Sequence, residues 1–298
     1  MLQKPFFWNF PVATSLFLTI LFPFAVQANC GLQSCPRPAH ESDASTWQAE
    51  VRTRWVAFDA DSVSGSYTVL STRLLWRPFS RWTVGVEVPV TRLDAGDEVH
   101  TGLSNPLLTA LYGRRFSETW SGEAGMQLEL PFGETDHSLA DDHVMLLPWI
   151  GVRRDLGDAW QMSGLLGVSH AIETGSAAVA DISAPALAKS AALSKTAHNG
   201  VDHGAGAAPV YVNPHGDREI QWRLGLSRVW NRSTAEVFAL GQSDISEGIS
   251  HAEYYARAGL SWDLALTHIL GLQTLAHVPV TSARRSEAEL GLSVRAAW

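Results

Sequence analysis

Arginine and glutamate recur at every second position of several short segments, and these are the residues best placed in this chain to do chemistry. Glu50, Arg52 and Arg54 lead the set, followed by Arg73, Glu87, Glu123, Glu129, Arg153, Glu219, Arg223, Glu253, Arg257, Glu287, Glu289 and Arg295. Charges at a period of two share one face of an extended chain. If that face is enclosed, each charge needs a partner, because an unpaired ion in a low-dielectric interior is costly. Two uses follow: the groups fill the interior as ladders of ion pairs, or they line a hydrated path and set its charge preference. The same residues serve either use.

Metal-ligating types are present but loosely arranged. Cys30 and Cys35, in NCGLQSCPRP, are the only cysteines. In an oxidising compartment so close a pair most simply forms a small disulfide loop; the alternative, a thiolate pair for a soft metal, lacks the further ligands of a zinc motif. The stretch AHNGVDHGAGAAPVYVNPHGD carries His198, His203 and His215 beside Asp202 and Asp217. Imidazoles on a flexible loop can gather Cu or Zn, although loops are polar in any case and no pair here has the spacing of a helical or tight-turn site. No cofactor is required, and metal binding at this loop is a subordinate expectation.

The elements that position these groups are strands. Trp47, Ala49, Val51, Thr53 and Trp55 oppose Gln48, Glu50, Arg52 and Arg54, while Trp82, Val84, Val86, Val88 and Val90 oppose Thr83, Gly85, Glu87 and Thr91. Twelve strands are predicted, over 46–59, 65–76, 81–92, 104–115, 119–132, 143–154, 159–173, 217–230, 234–243, 250–262, 267–280 and 286–298. The last is apolar at Ala288, Leu290, Leu292, Val294, Ala296 and Trp298, and polar at Glu287, Glu289, Ser293 and Arg295. A soluble sheet rarely ends its chain on a Trp that continues the apolar face. A membrane β-barrel does, since each strand shows lipid one face and the lumen the other, with aromatics at the boundary. The expected fold is all-β, an antiparallel transmembrane barrel of 12 strands.

Two patterns test that reading. Every second connection is a tight turn, around Pro78, Ser117, Gly157, Arg232 and Leu264, and the intervening ones are mostly longer, the largest spanning 174–216. Outer-membrane barrels combine short periplasmic turns with longer extracellular loops. Trp47, Trp76, Trp82, Trp120, Trp160, Trp230, Trp262 and Trp298 all fall at the end this topology makes periplasmic, as an aromatic girdle. Trp222 and Trp230, like Tyr254 and Trp262, stand eight residues apart on one face, a rise of roughly 20 Å for a tilted strand, close to the apolar band of such barrels.

Residues 1–28 read as a secretory signal peptide: Lys4 is the positive region, Phe10 to Phe24 is almost wholly apolar, and Val26-Gln27-Ala28 is a small-residue cleavage site. Residues 29–45 form a periplasmic tail and 46–298 the barrel. With 46% hydrophobic and 17% charged residues, and no apolar run long enough to span as a helix after the signal, an alternating barrel accounts for the balance. A formal charge of −8 excludes a basic nucleic-acid footprint.

The early cysteine pair, the small barrel, the histidine-bearing loop and the stretch GLSNPLLTALYGRRF from Gly102 to Phe116 together resemble the outer-membrane transporters grouped with the MetA-pathway of phenol degradation. Ser104 and Asn105 stand where that family's recurring GLGD-like turn has Gly and Asp. The resemblance implies a channel for small molecules, commonly hydrophobic or aromatic. The expected function is passive movement of a small solute across the bacterial outer membrane, in contact with its lipids, with the Trp298 segment read by the barrel-assembly machinery. The alternatives are metal passage through the His-bearing loops, a structural barrel, or a lipid hydrolase. A hydrolase needs a Ser and a His together at the lipid-facing surface; His170 and His268 face lipid at opposite ends, and no nucleophile motif accompanies them.

Overall fold

Alternation along each segment extends the chain, and backbone pairing then joins the segments. The computed structural model describes residues 47–60, 63–135, 139–140, 143–172, 217–245, 254–281 and 286–298. They form β1 (Trp47–Ala60), β2 (Val63–Phe79), β3 (Trp82–Ala95), β4 (Glu98–Leu103), β5 (Leu107–Arg115), β6 (Trp120–Glu129), β7 (Val144–Gly157), β8 (Trp160–Ile172), β9 (Arg218–Trp230), β10 (Ser233–Asp244), β11 (Tyr254–Ala265), β12 (Leu270–Pro279) and β13 (Ala288–Ala297). All pairings are antiparallel, and β13 returns to β1 with Leu292 opposite Thr53, which closes the barrel. Both β4 and β5 pair with β3, along Val90–Ala95 and Trp82–Glu87 respectively, so they are two halves of one stave and the barrel has twelve staves. Among the described residues no helix is long and apolar enough to cross a membrane.

Burial follows the two-residue period. On β3, Glu87, Pro89, Thr91 and Leu93 are buried while Val86, Val88, Val90 and Arg92 are exposed. In a closed barrel the buried set is the inward one. The eight girdle tryptophans are all exposed, at the end that carries the tight turns. Trp47 stacks on Trp76 at 5.7 Å between centroids, and Trp82 meets Tyr112 at 5.2 Å. At the opposite end Trp222 stacks on Tyr254 at 6.4 Å, lying across Gly241, where any side chain would collide with the indole. The β7–β8 turn holds three successive residues at positive φ, Gly157, Asp158 and Ala159, which reverse the chain within two residues.

Several expected boundaries are corrected. The fourth stave begins at Glu98, not at 104, and is interrupted at Ser104-Asn105-Pro106. Pro106 has no N–H to give the ladder and restricts Asn105 before it. The fifth predicted strand ends at Glu129 instead of 132, because the chain then turns back over this interruption. Leu130 N donates to Pro106 O at 2.9 Å, Gly133 N to Asn105 Oδ1 at 3.0 Å, and Glu134 N to Leu103 O at 2.8 Å. Two connections that the expected bounds make longer are as short as the periplasmic turns: two residues separate β1 from β2, and β3 and β4 are joined by Gly96 (φ 60°) and Asp97. The turn expected around Leu264 lies at 266–269, since β11 runs on to Ala265. Residues 1–46 and 174–216, with the signal, tail and long-loop assignments, lie outside the described residues.

The seam can be tested directly. Thr53 and Leu292 face outward in register, so their Cβ atoms stand about 4.5–5.5 Å apart. In a variant with Cys30 and Cys35 replaced by Ser, T53C/L292C is expected to crosslink on mild oxidation, giving a shift on a non-reducing gel. T53C paired with V237C, on a stave across the barrel, should not.

Candidate functional site: the lumen

Inward side chains differ along the barrel axis. Near the tight turns Glu123, Arg153, Gln161, Ser163 and Gln273 are half-buried, and the Arg295 side chain is 38% exposed, so this third is a vestibule. Further in, every stave contributes at least one buried inward residue. These are Arg54, Ser71, Thr91, Leu107, Gln127, Leu147, Ser169, Glu219, Leu240, Arg257, His277 and Glu289. A water-filled pore of constant width would leave such side chains accessible. Beyond the vestibule the described side chains therefore crowd the lumen.

The charges inside are gathered into groups. On β1, β2 and β3, Arg52 Nε lies 3.0 Å from Glu50 Oε1 and its Nη1 3.5 Å from Glu87 Oε2, while Arg73 lies 3.8 Å from Glu50 and 3.6 Å from Glu87. At the seam, Glu289 Oε2 on β13 faces Arg54 Nη1 on β1 at 3.4 Å, Arg257 Nη1 on β11 at 3.4 Å and His277 Nε2 on β12 at 3.0 Å. Arg257 Nη2 donates onward to Gln242 Oε1 at 3.0 Å on β10, and Arg54 Nη2 to the Tyr67 hydroxyl at 3.2 Å on β2. One carboxylate thus sits at the centre of a network spanning six staves. Arg223 on β9 makes a two-pronged bond to Glu236 on β10, at 3.0 and 2.9 Å, and Ser261 Oγ joins at 3.2 Å. Arg295 Nη1 lies 3.3 Å from Asp263 Oδ1, whose other oxygen accepts from Gln273 Nε2 at 3.1 Å.

Apolar side chains share the lumen. Val56, Phe58, Tyr67, Val69 and Leu93 form one cluster under β1–β3, and Leu111, Met145, Leu147 and Trp149 a second under β5 and β7. The first cluster includes Leu139, which is fully buried and belongs to no stave. It comes from the β6–β7 connection that folds in over the Ser104–Pro106 interruption. Gly133 of that connection lies against Ala140 and the backbone of Ser104, leaving no room for a side chain.

Of the residues singled out from sequence, Glu50, Arg52, Arg54, Arg73, Glu87, Arg223, Arg257, Glu289 and Arg295 enter these ion-pair groups. Glu129 and Glu219 are buried on the inward face, Glu123 and Arg153 half-buried there, and Glu287 half-buried just before β13. Glu253, Cys30, Cys35, His198, His203 and His215 lie outside the described residues. Sequence reasoning missed Glu236, Asp263, His277 and Gln242; continuing the parity of their strands would have found them. His170 is exposed on β8 and His268 is exposed in the β11–β12 turn at the other end. Among the described residues no three His, Cys, Asp or Glu side chains form a metal-sized group.

The fold has a known counterpart. An outer-membrane channel from Pseudomonas putida F1 matches 89% of this chain and 100% of its own length, with a TM-score of 0.66 at 11% identity. The fold is that of an outer-membrane β-barrel. The KdgM porin matches 84% of the chain and 99% of its own, with a TM-score of 0.49 at 9% identity. Outer membrane phospholipase A from Escherichia coli matches 83% and 95%, with a TM-score of 0.38 at 12% identity. No protein-family model matches the chain, and no curated protein matches it.

Removing the Glu289 carboxylate leaves Arg54 and Arg257 buried at the seam with their shared counter-charge gone. Losing one partner of a buried pair costs about 3–5 kcal/mol. E289Q should therefore unfold at clearly lower urea concentration than the wild type, read by the heat-modifiable gel shift of the refolded barrel. E289M/R54M/R257M should lose less than E289Q.

Proposed function

We propose that the protein is a passive outer-membrane channel for a small solute, closed at rest. The observation that carries this reading is the makeup of the closure. Staves fill most of it, but Leu139 is supplied by a connection, and a connection can withdraw without breaking the barrel. A vestibule open at the tight-turn end then leads to a part of the lumen that the ion-pair groups and two apolar clusters share. Such a path suits a small organic solute with an apolar body, which is also what the resemblance to the MetA-pathway family implies. Entry from outside would follow withdrawal of the β6–β7 connection, and passage would need no energy-coupling part. The site in the outer membrane, export by residues 1–28, and insertion read from the Trp298 segment belong to the same proposal.

Metal handling is tested in the same preparation, through His198, His203 and His215. The experiment is single-channel conductance of the refolded mature protein in a planar bilayer, beside a variant lacking residues 135–142. The wild type should show rare or brief openings, and the deletion frequent, larger steps. Silence of both proteins would sink the channel reading. Block by micromolar Cu²⁺ or Zn²⁺ that H198A/H203A/H215A relieves would place a metal site at the mouth.

A further inference from the structure

Inside the barrel most arginine charge is neutralised: Arg52, Arg54, Arg73, Arg223, Arg257 and Arg295 each lie within 3.8 Å of a carboxylate. Outside, at the tight-turn end, three arginines at outward strand positions are not. Arg114 on β5, Arg154 on β7 and Arg228 on β9 occupy outward, exposed positions, and none forms an ion pair among the described residues. The nearest acids in sequence, Glu118 and Asp158, belong to the turns beyond the strand ends, and Asp155 has the inward parity of β7.

Tryptophans alternate with these cations. Trp120 stands opposite Arg154 and Trp160 opposite Arg228 in the strand pairings, so the outer rim reads Arg114, Trp120, Arg154, Trp160, Arg228 from β5 to β9. The Arg154 guanidinium carbon lies 5.1 Å from the centre of the Trp120 ring, and that of Arg228 lies 5.4 and 5.7 Å from Trp160 and Trp230. An aromatic face orients a guanidinium without neutralising its charge, and leaves N–H groups for an anion. Directly above the row, Met126, Val152, Met162 and Leu226 present exposed apolar side chains. The cations thus stand at the edge of the apolar band, at the depth of lipid phosphates. Elsewhere on the same rim the outward strand residues Trp47, Trp76, Trp82, Trp262, Leu270 and Trp298 are uncharged, so outward strand arginines beside tryptophans occur on one arc, while Arg81 and Arg232 belong to the turns.

We propose that this arc binds an anionic phospholipid of the periplasmic leaflet. Arg154 and Arg228 lie two staves apart, about 10 Å, and hold its headgroup phosphate from both sides of β8, with Arg114 extending the field. An acyl chain then lies along β8, where Gly164 carries no side chain between Val152 and Leu224. The opposite rim does not repeat the pattern, for its outward Arg92 is held by Asp94 at 3.1 Å. The site needs the barrel in a membrane and not an open lumen, so failure of the channel reading leaves it standing.

The test uses the tryptophans of the arc as reporters. The mature protein is reconstituted in phosphatidylcholine vesicles containing either brominated phosphatidylglycerol or brominated phosphatidylcholine, and quenching is compared within each protein. One arginine near the surface is worth about 1 kcal/mol toward an anionic lipid, so the wild type should favour phosphatidylglycerol about fivefold. The preference should fall with added salt, vanish in R154Q/R228Q, persist in R92Q, and return largely in R154K/R228K. Equal quenching of the wild type by the two lipids would overturn the proposal, whatever the variants do. So would a preference that survives in R154Q/R228Q once its heat-modifiable gel shift confirms a folded barrel.

Discussion

In a bilayer every backbone N–H and C=O must find a partner within the protein, and a sheet can meet that demand only by closing on itself. The β1–β13 pairing is where the demand is met, and much else about the molecule follows from it. Once the seam is set, the parity of every stave is set too, because a slip of one residue would exchange the lipid and lumen faces. Half of all strand residues are then committed to a narrow interior. In this chain that interior is too charged to pack as hydrocarbon. Ion pairs and apolar clusters divide it between them. Glu289 lies on the seam strand itself, so the group that joins β1 to β13 by side chain also reaches β11 and β12, and the closure is supported from inside.

The interruption at Ser104-Asn105-Pro106 is the exception to regular pairing, and its handling shows the same constraint. Irregular backbone at membrane depth is tolerated where protein buries it and supplies partners. Here Ser104 N donates to Pro89 O, the β6–β7 connection bonds Leu103, Asn105 and Pro106, and both Ser104 and Asn105 are buried. The segment that repairs the wall is thus the one that places Leu139 in the lumen. A defect in the stave and the plugging of the barrel have a common origin.

Most of the architecture was legible because lipid enforces contrast between the faces. Strands such as Trp82–Val90, with Val or Trp on one side and Glu or Thr on the other, could be assigned from period alone, and the exposed girdle of tryptophans matches their spacing. Legibility failed where contrast failed. On β10 the inward face mixes Phe238 and Leu240 with Glu236 and Gln242, so its polar members did not stand out. His277 belongs to no motif, and only its parity on β12 points it at Glu289. The Ser104–Pro106 interruption was read as a strand beginning, since a proline after a polar run marks a boundary whether the stave ends there or only pauses. Pairing between strands far apart in the sequence, which decides that Arg54 meets Glu289, has no local signature at all.

The way the charges are paired bears on what the lumen could select. Five carboxylates, Glu50, Glu87, Glu236, Asp263 and Glu289, face six guanidinium groups, of Arg52, Arg54, Arg73, Arg223, Arg257 and Arg295. Interleaved at 2.9–3.8 Å, these charges largely cancel one another's field within a few ångströms. A lumen so arranged exerts little long-range pull on an ion of either sign, unlike a ring of like charge. For the channel proposed above, discrimination falls to width and to contact with the Phe58–Tyr67–Leu139 and Leu111–Trp149 surfaces, which reward apolar area at about 25 cal/mol per Å² removed from water. The charge network and the apolar clusters thus have separate physical roles: the first ties neighbouring staves together from inside with its charges paired, and the second presents the lumen with uncharged, apolar surface.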